Sequence, residues 1–236
     1  MSKVYVVVGG SRGIGLGIVK RLAAQGNQVH VYSRTVGDLA SIANVQHTVC
    51  DAVADELTAE MFPAAIDGLA YCPGSFNAKS IRALKVETLR EDFEINVVGA
   101  VKTIQAALSA LKKSDSDSAS VLMFSTVAVA QGMNAHASIA ASKGAIEGLT
   151  KTLAAELSPK VRVNCIAPAL TQTSLMSGLF TDPEKVEAMG KKYPLGRTGT
   201  VEDLSAAACF LLSQDSSWIT GQVMGVDGGM STVKKI

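Results

Sequence analysis

The chain has little charge, few aromatics and few of the side chains that build covalent or metal frameworks. Only 18% of its 236 residues are charged, and 22 basic against 21 acidic residues leave a formal net charge of +1. So even a balance gives no electrostatic footprint for nucleic acid. Cys50, Cys72, Cys165 and Cys209 stand far apart in apolar runs with no C-x-x-C pair, and read as reduced core residues. His30, His47 and His136 show no metal-ligand spacing, so no metal is expected. Mean hydropathy is +0.26, yet no run reaches the roughly 18 apolar residues of a spanning helix. The first apolar run, residues 4–8, ends in Gly9-Gly10 and is too short and wrongly flanked for a signal peptide. A cytoplasmic chain without membrane partners is the expectation.

What is present is apolar. A hydrophobic share of 47% excludes disorder. A chain of this length buries roughly 70% or more of its unfolded surface, so it folds without disulfides or metal. Short Val/Ile-rich runs predict strands at 4–8, 29–33, 45–50, 68–72, 120–125, 161–167 and 222–226. Helical patterns predict helices at 15–25, 89–111, 139–157 and 201–212. In the third of these, Ile146, Leu149, Leu153 and Leu157 fall on one face. Strand–helix alternation of this kind predicts an α/β fold, a doubly wound parallel sheet with helices on both faces, in one domain spanning residues 1–236. The crossovers at 34–45 and 51–67 are short, and so are expected to be trimmed. The polar run 112–118 reads as a solvated loop. Residues 170–199 have weak periodicity with clustered apolar side chains, and read as a substrate-covering segment.

Gly9-Gly10-Ser11-Arg12-Gly13-Ile14-Gly15 follows the first strand and opens the first helix. A tight turn needs glycine dihedrals, a pyrophosphate at close range excludes a β-carbon, and a helix start offers free N–H donors. The turn therefore reads as a dinucleotide site. Domains of this type that bind NAD usually carry an acid about 20 residues on, against the ribose hydroxyls. Here the second strand ends Ser33-Arg34-Thr35, with no acid before Asp38. Arg34, Ser33 and Arg12 suit a 2′-phosphate instead, so NADP(H) is favoured over NAD(H).

The G-x-x-x-G-x-G spacing of Gly9, Gly13 and Gly15 is similar to that of the short-chain dehydrogenases/reductases. The likeness runs through Glu94-Ile95-Asn96-Val97, Phe124-Ser125-Thr126-Val127, Lys143-Gly144-Ala145 and the segment 162–168. Residues 194–197, 219–222 and 226–229 resemble the 3-oxoacyl-carrier-protein reductase branch. The resemblance implies a Rossmann fold and a tetrad of Asn, Ser, Tyr and Lys that reduces a carbonyl or oxidises an alcohol. In that tetrad the tyrosine is the general acid/base, the lysine lowers its pKa and holds the nicotinamide ribose, and the serine orients the substrate oxygen. Asn96 and Lys143 match. The serine position falls on Thr126, with Ser125 beside it, and the tyrosine position is Ile139. By the same resemblance Asp51 meets the adenine, and Cys72 and Gly74 belong to the loop at the adenosine ribose. Pro168, Thr171 and Thr173 lie near the nicotinamide and pyrophosphate.

An isoleucine cannot donate a proton, and losing a positioned acid typically costs about 10²–10⁴ in rate. His136, Tyr71 or a water ordered by Lys143 and Asn96 are the candidate replacements. Two functions stay open. One is an NADP(H)-dependent oxidoreductase with atypical proton donation, acting on a small carbonyl, alcohol or acyl thioester. The other is a catalytically inactive NADP(H)-binding homologue with a binding, regulatory or structural role. The resemblance also implies a homotetramer.

Overall fold

Val4–Val8 forms β1, the strand on which the sheet is organised, and its alternation explains why. Val6 and Val8 pack with Leu69, Ile104 and Ile146 on one face, while Tyr5 and Val7 pack with Ile18 and Leu204 on the other. Each full burial of such a side chain stabilises by about 1.5–3 kcal/mol before chain entropy is set against it. The structure is a computed structural model and describes residues 2–234. The other strands are β2 (Gln28–Ser33), β3 (Val45–Val49), β4 (Gly68–Tyr71), β5 (Ala119–Phe124), β6 (Val161–Pro168) and β7 (Val223–Val226). They form one seven-stranded sheet in the order β3-β2-β1-β4-β5-β6-β7, with every pair parallel. Helices α1 (Gly13–Ala24) and α7 (Val201–Leu212) cover one face; α3 (Gly99–Lys112) and α5 (Ala137–Leu157) cover the other, with the single turn α4 (Ala128–Gln131) leading into α5. This is the doubly wound Rossmann arrangement expected from the alternation. Among the described residues no helix is long and apolar enough to cross a membrane.

The winding reverses between β1 and β4, so their carboxyl ends splay and open a crevice. The two connections expected to be trimmed are 3₁₀ turns, Gly37–Ser41 and Ala59–Met61.

Two expectations need correction. The helix read at 89–111 is not uniform: α2 (Val86–Phe93) passes through a π-turn, Glu94–Val98, into α3. The side-chain amide of Asn96 donates to the Asp92 carbonyl four residues back (2.7 Å), in competition with the backbone ladder. Segment 170–199 is not a plain loop. It holds a 3₁₀ turn, Ser174–Leu179, and helix α6 (Pro183–Gly190), started by Asp182 capping the Glu184 and Lys185 N–H groups with proline in its first turn. The polar run 112–118 is tethered, because Ser114 and Ser116 donate to Asp67 Oδ1 (2.7 and 2.6 Å).

Asp67 also accepts from the Val4 N–H (2.9 Å), so one carboxylate joins the starts of β1 and β4 to the loop before β5. Burial would raise this carboxyl. Donors from Ser116, Val4 and Ser114 and the charge of Lys3 outweigh burial and hold it below the usual carboxylate range. A depressed folded pKa contributes stability above the unfolded pKa, lost as pH falls through the folded value. Asp67→Ala is expected to lower the unfolding free energy at pH 7 by about 1–3 kcal/mol in urea titrations. The gap between mutant and wild type should narrow as pH falls below the ordinary carboxylate range; an undiminished gap in acid would contradict this role.

Candidate functional site

The glycine turn stands in the crevice between β1 and β4. Gly9 takes a positive φ of 75°, and a β-carbon there would lie 3.0 Å from Pro73, so the turn is packed against the segment after β4. Gly15 is more constrained, since its β-carbon would stand 2.3 Å from the Gly9 carbonyl oxygen. Gly13 faces open space, where a β-carbon would meet only Thr173, at 3.7 Å. Arg12 caps α1 in an extended conformation without a side-chain cap, and the first turn of α1 carries no acid. Uncapped N–H donors with no local negative charge suit an anion. Ser11 is buried in the turn, and the Ile14 side chain packs against the core, leaving its N–H as the group available to a ligand. These residues fit a pyrophosphate.

At the end of β2, Ser33 Oγ donates to the Thr35 carbonyl (2.9 Å) and lies 3.0 Å from His47 Nε2, brought alongside from β3. Arg12 reaches the same place, donating to Thr35 Oγ1 at 3.3 Å. Arg34 is exposed next to it. Asp51 Oδ1 accepts from the Val53 and Ala54 N–H groups (2.9 and 3.3 Å) and closes its own turn. The Val53 N–H leads in holding the Asp51 carboxyl low, with Arg34 and Lys102 adding smaller effects.

Asn96 and Lys143 meet at the other end of the crevice. A β-carbon on Gly74 would stand 3.3 Å from Asn96 Oδ1 and 3.6 Å from Lys143 Nζ, so the two polar ends face one gap that glycine leaves open. Asn96 Oδ1 is buried and has no partner among the described residues. Lys143 is 8% exposed and makes no side-chain hydrogen bond among them. Burial lowers its pKa to about 8, against the raising influence of Cys165, Cys72 and Asp92. Thr126 is half-buried at the end of β5, and its Oγ1 accepts from the Ala128 N–H at 3.3 Å. Ser125 is spoken for, donating to Glu147 Oε1 at 2.5 Å. Ile139, four residues before Lys143 on α5, is buried.

Of the candidate proton donors, Tyr71 is excluded by geometry. Its hydroxyl donates to the Ile95 carbonyl (2.7 Å), and burial pushes its pKa up. His136 sits at the head of α5, with Nδ1 2.7 Å from the Asn134 carbonyl and its ring edge-on to Phe76. Cys72 offers a backbone already paired to Val8 and a thiol that burial pushes up to about 12. Pro168 ends β6, and Thr171 turns its hydroxyl back to the Ala169 carbonyl (2.9 Å). Thr173 lies over the glycine turn, on the rim of a groove of about 490 Å³ that Phe180 also lines. Sequence reasoning missed Ser75, Asn77, Asp92 and Ser138, a polar set behind Asn96 in which Asp92 and Ser138 are buried and Ser75 and Asn77 half-buried. The available signal was spacing, since Asp92 stands four residues before Asn96 on the same helical face.

Known proteins resemble this chain over nearly its whole length. The family model described as Enoyl-(Acyl carrier protein) reductase matches residues 8–231. The 3-oxoacyl-(acyl-carrier-protein) reductase FabG of Chlamydia muridarum is 32% identical over 249 residues, covering 98% of each chain. The inactive 2-(S)-hydroxypropyl-CoM dehydrogenase 2 of Xanthobacter autotrophicus is 35% identical over 173 residues, covering 71% of this chain and 74% of that one. Among solved structures, the Pseudomonas aeruginosa RhlG/NADP active-site complex superposes with a TM-score of 0.88 at 28% identity, covering 97% of this chain and 96% of that one.

The gap before Gly74 gives a direct test. Gly74 has no positive φ, so its backbone accepts alanine, but the added methyl fills the space between Asn96 and Lys143. Gly74→Ala is expected to keep the fold and to weaken binding of a nicotinamide dinucleotide by about tenfold, or 1.4 kcal/mol, in a fluorescence titration. Unchanged affinity would remove the gap from the binding site.

Proposed function

The chain belongs to the short-chain dehydrogenase/reductase family, and from that membership we propose an NADP(H)-dependent oxidoreductase that interconverts a carbonyl and an alcohol. The observation that carries this reading is the pair of polar groups without a partner among the described residues, Asn96 Oδ1 and Lys143 Nζ, facing the gap at Gly74 in the same crevice as the uncapped start of α1. A bound nicotinamide supplies or accepts the hydride. The chain binds and orients. Gly9–Gly15 and the α1 N-terminus take the pyrophosphate, Arg12, Ser33 and Arg34 the 2′-phosphate, and Asp51 the adenine. Cys72 and Gly74 lie along the riboses, with Pro168, Thr171 and Thr173 near the nicotinamide and pyrophosphate.

On the substrate side, Thr126 directs its hydroxyl at the substrate oxygen. Ile139 stands where the family's tyrosine is placed, so the proton has to come from elsewhere. The Tyr71 hydroxyl is bonded to the Ile95 carbonyl, which leaves His136 at the head of α5, or a water held by Lys143 and Asn96, to deliver it. Lys143 stays an ammonium up to about pH 8 and replenishes that proton. Segment 170–199 covers the substrate, a small carbonyl, alcohol or acyl thioester. A homotetramer fits the 99% exposure of Trp218, just before β7, and the four cysteines, all free thiols, fit a cytoplasmic setting.

Ile139 also favours a second reading, an inactive NADP(H)-binding homologue, and one relative bears the word inactive in its name. The loss of NADPH absorbance with a panel of ketones and acyl thioesters separates the two. Turnover supports the enzyme, and NADPH binding without any turnover supports the binding protein. In the same assay Ile139→Tyr is expected to raise the rate on an activated ketone by about 10²-fold or more. A variant that binds NADPH and gains nothing would mean that Lys143, Asn96 and Thr126 no longer form a working set. Arg34→Ala should weaken NADPH by about tenfold while leaving NADH nearly unchanged. Equal losses would overturn the 2′-phosphate assignment.

A further inference from the structure

Asp92 has no solvent exposure, yet side chains from separate segments bond both oxygens of its carboxylate. Ser75 Oγ (2.5 Å) and Asn77 Nδ2 (2.8 Å) donate to one oxygen, and Ser138 Oγ (2.5 Å) donates to the other. An ionised carboxylate only accepts, so each of these groups is fixed as a donor. Ser75 has given its single proton to Asp92 and therefore accepts from Asn96 Nδ2 at 3.0 Å. The second amide proton of Asn96 goes to the Asp92 backbone carbonyl at 2.7 Å. Both donors of the amide are used, and its acceptor oxygen is left aimed at the gap shared with Lys143. One negative charge sets the direction of the whole chain of hydrogen bonds.

The same charge bears on Lys143. The groups that influence it are Cys165 on β6, Cys72 after β4 and Asp92 on α2. Burial pushes both thiols up to about 12, so they stay neutral across the working range. Glu147, one turn along α5, is engaged by Ser125. Asp92, bonded to Ser138 five residues before Lys143 on the same helix, is the carboxylate that remains. Ser138, which anchors to Asp92, is also the residue next to Ile139, so the network fixes the first turn of α5 beneath the gap.

The geometry points to Asp92 as the positioning residue of this site: through Ser75 it turns the Asn96 carbonyl toward Lys143, and it is the buried counter-charge of that lysine. The inference rests on the reading of the gap as the nicotinamide end of an NADP(H) site.

Asp92→Asn keeps the shape and removes the charge. Two measurements on the full chain read the result from pH 6 to 10. NADPH affinity is followed by fluorescence, and Lys143 reactivity in the ligand-free protein by competitive acetylation and mass spectrometry. In wild type the affinity falls and the reactivity rises as Lys143 loses its proton. In Asp92→Asn both midpoints should move down by about half a unit or more. Ser75→Ala leaves the charge but frees the amide, so it should weaken NADPH at every pH without moving the midpoint. Unmoved midpoints in Asp92→Asn overturn the proposal. Should that variant not fold, Ser75→Ala decides, and unchanged affinity there overturns it. If wild type does not bind NADPH, the functional reading fails, while the acetylation midpoints still decide the role of Asp92.

Discussion

Taking an ammonium out of water costs on the order of several kcal/mol even after the protein relaxes, unless opposing charge and hydrogen bonds compensate. Lys143 is such a group, buried on α5 with a pKa pulled down to about 8. The polar surroundings of the gap follow from keeping it charged. Asp92 holds Ser75 and through it Asn96, Asn96 presents only an acceptor, and glycine at position 74 leaves the space between Asn96 and Lys143 free. Cys72 and Cys165 line the same region as neutral thiols and add no competing charge. The result is a proton-holding group beside an unfilled acceptor, and Ile139 one turn away is apolar.

The fold brings these groups together through the order of its strands. Because β1 and β4 are neighbours and the winding reverses between them, the turn after β1 and the segment after β4 meet at Gly9 and Pro73. One residue beyond Pro73, Gly74 faces Asn96 and Lys143, so the glycine turn and the Asn96–Lys143 gap share one crevice. The π-turn at Glu94–Val98 belongs to the same design. It places Asn96 where its amide bonds Asp92 and Ser75 while its oxygen faces outward from the helix into the gap.

Much of this was legible in the sequence, for reasons that differ from residue to residue. The strands could be read because burial on both faces demands continuous apolar runs, and Val201–Leu212 emerges as α7 with the same limits. The glycine turn was readable because steric demand at Gly9 and Gly15 leaves few alternatives. Asn96, Lys143 and Thr126 came from family likeness. What stayed hidden depends on tertiary contact. Asp92 lies in the charged stretch Arg90-Glu91-Asp92, which reads as a solvated helix face until Ser138 and the segment 75–77 close over it. The tether of 112–118 required knowing that Asp67 lies beside it. Helix α6 had a readable start at Asp182-Pro183, but its weak apolar periodicity concealed it.

Proton supply is the point on which the proposed reaction turns, since Ile139 stands at the position the family likeness gives to tyrosine and the proposal draws the proton through Lys143. The direct measurement is the single-turnover rate of carbonyl reduction by the NADPH-loaded protein, followed across about pH 6 to 10. If Lys143 is the source of the proton, the rate stays level at low pH and falls tenfold per unit above about 8. A rate that stays level to pH 10 would contradict it.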